Sequence, residues 1–469
     1  MGGFVSLVGA GPGNPELLTI LAKRRLSEAD VVVYDRLVNP ALMAPLAAEK
    51  IDVGKLPQHH KVSQYQINDL LVEQARKGKR VVRLKSGDPY VFGRGGEEGQ
   101  YLQQQRVAFE VVPGITSAIA GLGAAGIPIT HRDFASSFHV ITGHHKADGT
   151  QLDWENIAHQ EGTLVFLMGM GELGHIAEQL IKNGRASSTP VAVIQWATHW
   201  NQRSVKADLG TIETVVETHH IGSPALIVVG NVVSLMDELN PELPLQGLHL
   251  LIPFKDPSKL FSKLQDQGAA VNFFKRRTQV PLTFDLPDML KGGTLVISDQ
   301  TAFDFFEHRL LDTGYDQRVL SKWRVLALNQ AIAGHLKRHG LLVDGYFESD
   351  NSLFSEPEIV IGEETALGRF KEVKSQKIAT YRAIPVNQTI EVGCFHGIIF
   401  PSSASVDDLV SGCRDSQKRQ LASMPCFAMG KQVVARCQAS GIRNVISVNP
   451  SIDAVMPAIQ SYFKCRSVI

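Results

Sequence analysis

Along this chain, short apolar runs rich in Val, Ile and Leu alternate with longer stretches whose apolar residues recur at helical spacing. The runs FVSLVGAG (4–11), DVVVYD (30–35), RVVRL (80–84), FEVVPG (109–114), FHVITG (138–143), TLVFLMG (163–169), PVAVIQWAT (190–198) and PALIVVG (224–230) end at or near Gly, Pro, Asp or Thr. Short runs of this kind predict buried strands. SQYQINDLLVEQARKG (63–78) predicts an amphipathic helix that Gly78 stops. The alternation predicts an α/β architecture with a largely parallel sheet, in which ligands gather at the carboxyl ends of the strands. After the proline-bearing polar stretch ELNPELPLQG (238–247) the pattern resumes with LHLLIPF (248–254), GTLVISD (293–299), WRVLALN (323–329), EIVIGEE (358–364), FHGIIFPSS (395–403), CFAMG (426–430) and NVISVNP (444–450). A domain boundary is predicted near residue 244.

Composition narrows the class. The 469 residues are too many for one ordinary core. With 47 basic and 47 acidic residues there is no global field to attract nucleic acid. The five cysteines (Cys394, Cys413, Cys426, Cys437 and Cys465) are odd in number and form no CxxC pair. That usage suits a reducing compartment without a disulfide framework. No signal-peptide pattern opens the chain, and no apolar stretch reaches the roughly 20 residues of a membrane helix. A cytoplasmic enzyme or binding protein is expected, with no nucleic-acid or membrane partner.

Two stretches carry candidate chemistry. GAGPGN (9–14) follows a strand and precedes a helix start, with Asn14 as its cap. Asp35 ends the next run, where a ribose-binding acid would stand. The spacing is GxGxG, and Pro12 removes one N–H from the loop, so a dinucleotide, another nucleoside ligand and a structural turn all remain open. The second stretch is RLKSGDPYVFGRGGEEG (83–99). It combines five glycines with Asp88 and the cations Arg83, Lys85 and Arg94. Its glycines let backbone approach a ligand closely, and Asp-Pro favours a turn. Glu97 and Glu98 read as first-turn helix acids. The histidine doublets at 59–60, 144–145 and 219–220 are adjacent residues that point apart, and no metal site is expected.

The blocks VGAGPGNPELLT, VVYDRLV, VGK, KGKRVVRLKSGDPYVFGRGGEE, VVPGITSAIAGLGAAGIPITHRD, TGHHK, LVFLMGM and SPALIVVGNVV follow in one order across residues 3–238. Together they resemble uroporphyrinogen-III C-methyltransferase, of the tetrapyrrole methyltransferase class. The resemblance implies S-adenosyl-L-methionine as cofactor and a two-lobed α/β fold, in a domain over 1–240 with lobes of about 1–115 and 116–240. It implies cofactor contacts at Pro12, Ser86, Gly87, Asp88, Val91, Thr116, Ser117, Met168 and Ala197. This chain has KSGDP where the family more often has KGGDP, and Ala197 where glycine is common. Asp35 resembles the family's proposed base and Lys55 its proposed proton donor; Asp35 also reads as a strand-end acid paired with Arg36 or another cation. The substrate implied is an octacarboxylate tetrapyrrole. Arg36, Lys55, Arg94, Arg132 and Lys146 are candidates to hold it, since guanidinium clamps carboxylate two-pronged, and each also reads as a surface cation. A homodimer is implied as well.

Beyond a linker at 241–247, residues 248–469 resemble uroporphyrinogen-III synthase through LVISDQTAFDFF, VLALNQAIAGHLKRHGLLVD, ATYRAIP, GIIFPSSASVDDL and FAMGKQVVARCQASGIRNVISVNPSIDAVMPAI. That family folds as two α/β lobes joined by a two-strand ladder. Tyr381 and Ser402 resemble its cleft residues. Pro401, Asn329, Ile332 and Val433 depart from its pattern, and the lost hydroxyls remove potential carboxylate donors. The resemblance implies a fused enzyme of sirohaem and cobalamin biosynthesis. Methylation of a later cobalamin intermediate with a non-catalytic C-terminal half, and a dinucleotide-binding oxidoreductase, are the rival readings.

Overall fold

The structure is a computed structural model that describes residues 3–43, 46–54, 63–143, 152–240, 243–253, 259–273, 277–347, 356–385 and 390–464. Its first sheet comprises β1 (Phe4–Gly9), β2 (Val31–Tyr34), β3 (Glu49–Asp52), β4 (Arg80–Lys85) and β5 (Phe109–Val112). The order is β3-β2-β4-β1-β5, all parallel. Alternate residues of each strand feed two cores. Val5, Leu7, Val31 and Val33 pack under α2 (Gln64–Arg76) and α3 (Gly95–Gln104), whereas Val8, Val32, Val82 and Leu84 pack under α1 (Ile20–Glu28). Helix α2 starts at a reciprocal cap between Ser63 and Gln66, and Gly78 lies just past its end at φ 80°. The predicted helix and its stop are both present.

The second sheet contains β6 (Phe138–Thr142), β7 (Thr163–Leu167), β8 (Pro190–Gln195), β9 (Arg203–Asp208) and β10 (Ala225–Val229), ordered β6-β7-β10-β8-β9. Only β6 and β7 pair in parallel; the other three pairs are antiparallel. This corrects the expectation of a largely parallel sheet here. Strands β7, β8 and β10 are buried on both faces, between the cluster of Phe166, Leu180 and Val193 and the cluster of Val165, Ile194 and Val228. Burial on both faces produces the same unbroken apolar runs whichever way a neighbour runs. Helix α4 (Ser117–Ala124) joins the second of these clusters through Ala118 and Leu122.

Beyond residue 248 the strands are β11 (His249–Ile252), β12 (Ala270–Phe273), β13 (Arg277–Pro281), β14 (Gly293–Ile297), β15 (Trp323–Ala327) and β16 (Gly345–Tyr346). They continue with β17 (Ile359–Glu363), β18 (Gln376–Pro385), β19 (Gly397–Phe400), β20 (Cys426–Met429) and β21 (Val445–Val448). They form a parallel sheet β12-β11-β19-β20-β21 and a sheet β13-β18-β17-β14-β15-β16. The latter is parallel except for the β13–β18 ladder, which pairs Arg277 with Pro385. The chain leaves the first of these sheets after β12 and returns to it at β19, so β13 and β18 lie next to the two crossings. Among the described residues no helix is long and apolar enough to cross a membrane.

Candidate functional site

The loops after β4, β1 and β5 leave neighbouring strands at one edge of the first sheet. The Ala10 N–H donates to the Lys85 carbonyl at 2.7 Å. Gly11 and Gly87 exchange backbone hydrogen bonds at 3.2 and 2.8 Å. Both are left-handed, at φ 74° and 71°, a conformation that suits glycine. A Cβ on Gly9 would lie 2.5 Å from Gly114 Cα, and one on Gly114 only 2.2 Å from the Gly87 carbonyl oxygen. Three loops therefore meet backbone to backbone, which accounts for the glycines at 9, 11, 87 and 114. Asp88 ties the assembly together: Oδ2 accepts the Gly114 N–H at 3.0 Å and Oδ1 the Tyr90 N–H at 2.8 Å. Across from Gly87, its Cβ position would lie 3.9 Å from Thr116 Cα and 4.0 Å from Ser117 N. Thr116 caps α4 by accepting the Ala118 N–H at 3.3 Å. Pro12, Ser86, Gly87, Asp88, Thr116 and Ser117 are thus brought onto one backbone cradle at the strand ends.

The second lobe reaches this cradle through the loop after β8. Thr198 Oγ1 accepts the Asn14 N–H at 3.1 Å, and the His199 ring is hydrogen-bonded to the Pro12 carbonyl. A Cβ on Gly13 would sit 2.2 Å from His199 Cδ2, so this glycine makes room for the imidazole. Met168, Trp196 and Thr198 adopt left-handed φ angles of 56°, 50° and 65° in the loops after β7 and β8. Non-glycine residues in that region concentrate at functional loops. Met168 is exposed. Ala197 is buried beside α4, its Cβ 2.8 Å from where a Cβ on Gly121 would stand. Val91 packs against the second-lobe core.

The same loop touches the C-terminal half. Trp200 stacks on His249 at 5.0 Å with the planes 16° apart, and meets His396 edge-on at 5.1 Å. Burial pushes His199, His249 and His396 below the ordinary 6.5. The unfolded chain takes up these protons near 6.5, whereas the folded rings resist them until lower pH. Their contribution to stability is therefore fully present above 6.5 and lost as pH falls below it. Acidification through that window is expected to lower the melting temperature and raise acrylamide quenching of Trp200. A Trp200→Phe variant that still shows the whole quenching change would assign it elsewhere.

Beside the cradle lies a buried charge cluster that the sequence reading left unassembled. Asp35, just past β2, receives Arg83 Nη2 at 2.5 Å and has Lys85 Nζ at 3.8 Å. Glu98 Oε1 accepts from Arg83 Nε at 3.0 Å, Lys85 Nζ at 2.9 Å and Gln64 Nε2 at 3.1 Å. The side chains of Arg83, Lys85 and Glu98 are buried, whereas that of Asp35 is 34% exposed. Burial depresses the Lys85 ammonium, and the neighbouring Arg83 charge depresses it further. Burial works against the Arg83 charge too, but Asp35 and Glu98 outweigh it and hold the guanidinium above its ordinary value. Asp35 is paired, as its strand-end reading allowed, but with Arg83 rather than Arg36. Glu98 is not a solvated first-turn acid. The signal was available: Arg83 sits between Val82 and Leu84 in a central strand, and a charge there needs a partner.

The remaining predicted residues are dispersed. Arg94 makes a two-pronged pair with Glu97, Nη2 to Oε2 at 2.6 Å. Arg36 is exposed, and Arg132 is exposed in the turn closed by His131 and Ala135. Lys55, Lys146 and the histidine doublets at 59–60 and 144–145 lie outside the described residues. In the C-terminal half, the buried Tyr381 donates its hydroxyl to Asp299 Oδ1 at 3.0 Å, and burial, then Asp299, pushes that hydroxyl far up. Ser402 caps the helix Ser403–Gly412 by accepting the Ser405 N–H at 3.2 Å, and Asn329 caps Gln330–Arg338 by accepting the Ile332 N–H at 3.0 Å. Ile332 and Val433 are buried in apolar clusters.

A backbone cradle at three parallel strand ends, braced by a second α/β lobe and flanked by a carboxylate, is the candidate ligand site of the two-lobed α/β N-terminal half. The chain belongs to the tetrapyrrole (corrin/porphyrin) methylase family, whose model matches residues 5–213. It is 41% identical over 430 residues to a uroporphyrinogen-III C-methyltransferase of Bacillus subtilis (strain 168), covering 87% of each chain. It is 34% identical to the porphyrin biosynthesis protein HemD of Ruminiclostridium josui, covering 97% of each. An S-adenosyl-L-methionine-dependent uroporphyrinogen III methyltransferase of Methanosarcina barkeri (strain Fusaro) is 50% identical, over 51% of this chain and 96% of that one. A crystal structure of the Thermus thermophilus uroporphyrin-III C-methyltransferase with S-adenyl homocysteine is 43% identical, over 50% of this chain and 99% of that one, at a TM-score of 0.44.

Proposed function

We propose that the N-terminal half methylates uroporphyrinogen III twice, giving precorrin-2, with S-adenosyl-L-methionine as donor. We propose further that the C-terminal half closes hydroxymethylbilane to uroporphyrinogen III. The observation that carries this reading is that the likeness to the Bacillus subtilis and Ruminiclostridium josui proteins runs through both halves, not the N-terminal half alone. The cradle suits the donor: at Gly9 and Gly114 any Cβ would strike neighbouring backbone, and Gly87 takes a left-handed φ of 71° that suits glycine. Both Asp88 oxygens already accept backbone N–H groups, so Asp88 shapes the cradle before it touches a ligand. When bound, the donor supplies an electrophilic methyl group for an electron-rich pyrrole carbon, and positioning does most of the work. Asp35, held by Arg83 and open to solvent on its other side, accepts the proton that the macrocycle must lose. In the C-terminal half, Ile332 and Val433, two of the departures from the synthase pattern, lie in apolar cores.

One anaerobic incubation tests both halves: purified protein with hydroxymethylbilane and S-adenosyl-L-methionine, products resolved by mass and isomer. Doubly methylated type III product is expected. Type I rings would mean that the C-terminal half does not close the ring enzymatically. Failure to methylate supplied uroporphyrinogen III would overturn the N-terminal assignment.

A further inference from the structure

The expectation of no metal site rested on adjacent histidines and passed over a better-spaced pair. His335 and His339 stand four residues apart, at the end of the helix Gln330–Arg338. That spacing puts two imidazoles on one helix face. The helix packed against it, Gln300–Asp312, presents Asp304 and Glu307, three residues apart, towards them. His335 Nε2 lies 2.6 Å from Asp304 Oδ1, and His339 Nε2 lies 3.9 Å from that same oxygen. One donor atom from each of these three residues lies within 4.8 Å of the others. Bonds of about 2.0–2.2 Å in a tetrahedral zinc site place donors about 3.3–3.6 Å apart, so side-chain adjustments of about 1 Å suffice.

Glu307 distinguishes this group from a pair of ordinary histidine–carboxylate contacts. Its Oε2 is 3.1 Å from His339 Nδ1, and its Oε1 is held by the Gln317 amide. A carboxylate only accepts, so Nδ1 of His339 carries the proton, and in the neutral ring the Nε2 lone pair points into the group. There it faces Asp304 with no hydrogen between them, an arrangement that a cation resolves. A ligating histidine whose far nitrogen donates to a carboxylate is the outer-shell arrangement of zinc proteins. Phe303 meets both rings edge-on at 6.4 and 5.8 Å, fixing their planes. Two carboxylates around two neutral imidazoles leave two negative charges, the complement of a divalent ion.

We propose that Asp304, His335 and His339 bind a zinc-like divalent cation, with Glu307 orienting His339 from the outer shell. Asp304 and His339 are 41% and 35% exposed at their side chains, which leaves a fourth coordination position to water. The ion takes the place of the hydrogen between His335 and Asp304, the neutral His335 ring carrying its proton on Nδ1 instead, and clamps the two helices together. The full-length protein, stripped with chelator, is titrated with Zn2+ alone by calorimetry and with Co2+ alone by visible absorption. One equivalent is expected, with a cobalt spectrum of four- or five-coordinate type and a rise in melting temperature. His339→Ala should weaken binding at least about 100-fold, and Glu307→Gln about 10- to 100-fold with the fold intact. His308→Ala, which removes an exposed histidine on the same helix, should leave binding unchanged. Absence of stoichiometric binding to the parent protein, or parent affinity in His339→Ala or in Glu307→Gln, would overturn the proposal. Equal weakening by His308→Ala would overturn it too, by showing adventitious surface binding.

Discussion

Replacing Asp35 by asparagine is expected to slow methyl transfer by about 100- to 10,000-fold, the range for loss of a positioned general base. The side chain keeps its size and its place past β2, but it loses the charge that receives Arg83 at 2.5 Å and the capacity to take a proton. The ring closure proposed for the C-terminal half should continue at the parent rate, because Asp35 follows a strand of the first sheet and, among the described residues, no strand of that sheet pairs with the C-terminal ones. The measurement is single-turnover methylation of uroporphyrinogen III with saturating donor, alongside donor affinity by calorimetry. Unchanged affinity with a large rate loss places Asp35 at the reacting centre. An equal loss in both would make it a scaffold for the cradle, and parent turnover would remove it from the mechanism. Asp35 is a third exposed, so solvent offsets much of the lost ion pair and the change in stability should be small.

Glu98→Gln is expected to do the reverse: destabilise the first lobe by about 3–5 kcal/mol, as removal of one partner from a buried ion cluster does. Glu98 is fully buried, and its Oε1 takes donors from Arg83, Lys85 and Gln64. An amide of the same shape leaves two buried cations against Asp35 alone. Lys85, which burial already depresses, then sheds its proton more readily than Arg83. Urea unfolding followed by far-ultraviolet circular dichroism gives the stability change. A change below about 1 kcal/mol would show that water reaches the cluster and that its charges are solvated in the folded state. Because the two substitutions share Arg83, their effects should not add, and the double variant measures the coupling.

Much of the strand pattern was legible from the chain. Runs such as FVSLVGAG and GTLVISD became central strands because residues buried on both faces must be apolar. The strands that the pattern passed over are mostly sheet edges: β3, β9, β12, β13 and β16. An edge strand has one face or side towards water, and EKID and RSVKAD accordingly carry charges. The cradle was legible as well, since glycine and Asp-Pro motifs state a local backbone demand. Asn329 and Ser402 were noticed as departures or likenesses but not as caps, although an Asn or Ser just before a helix is a local signal.

What the chain alone determined, then, is what local chemistry determines: where backbone is buried, where it must turn left-handed, and which loops carry glycine for close approach. Residues distant in sequence were joined only by the fold. Strand direction in the second sheet, the bond from His199 to Pro12, and the assembly of Asp35, Arg83, Lys85 and Glu98 all depend on which elements become neighbours. So does the meeting of His335 and His339 with Asp304 and Glu307. A charged side chain announces that it needs a partner if it is buried, because desolvation must be offset. Which partner satisfies it is decided by packing, since any opposite charge at the right distance would serve.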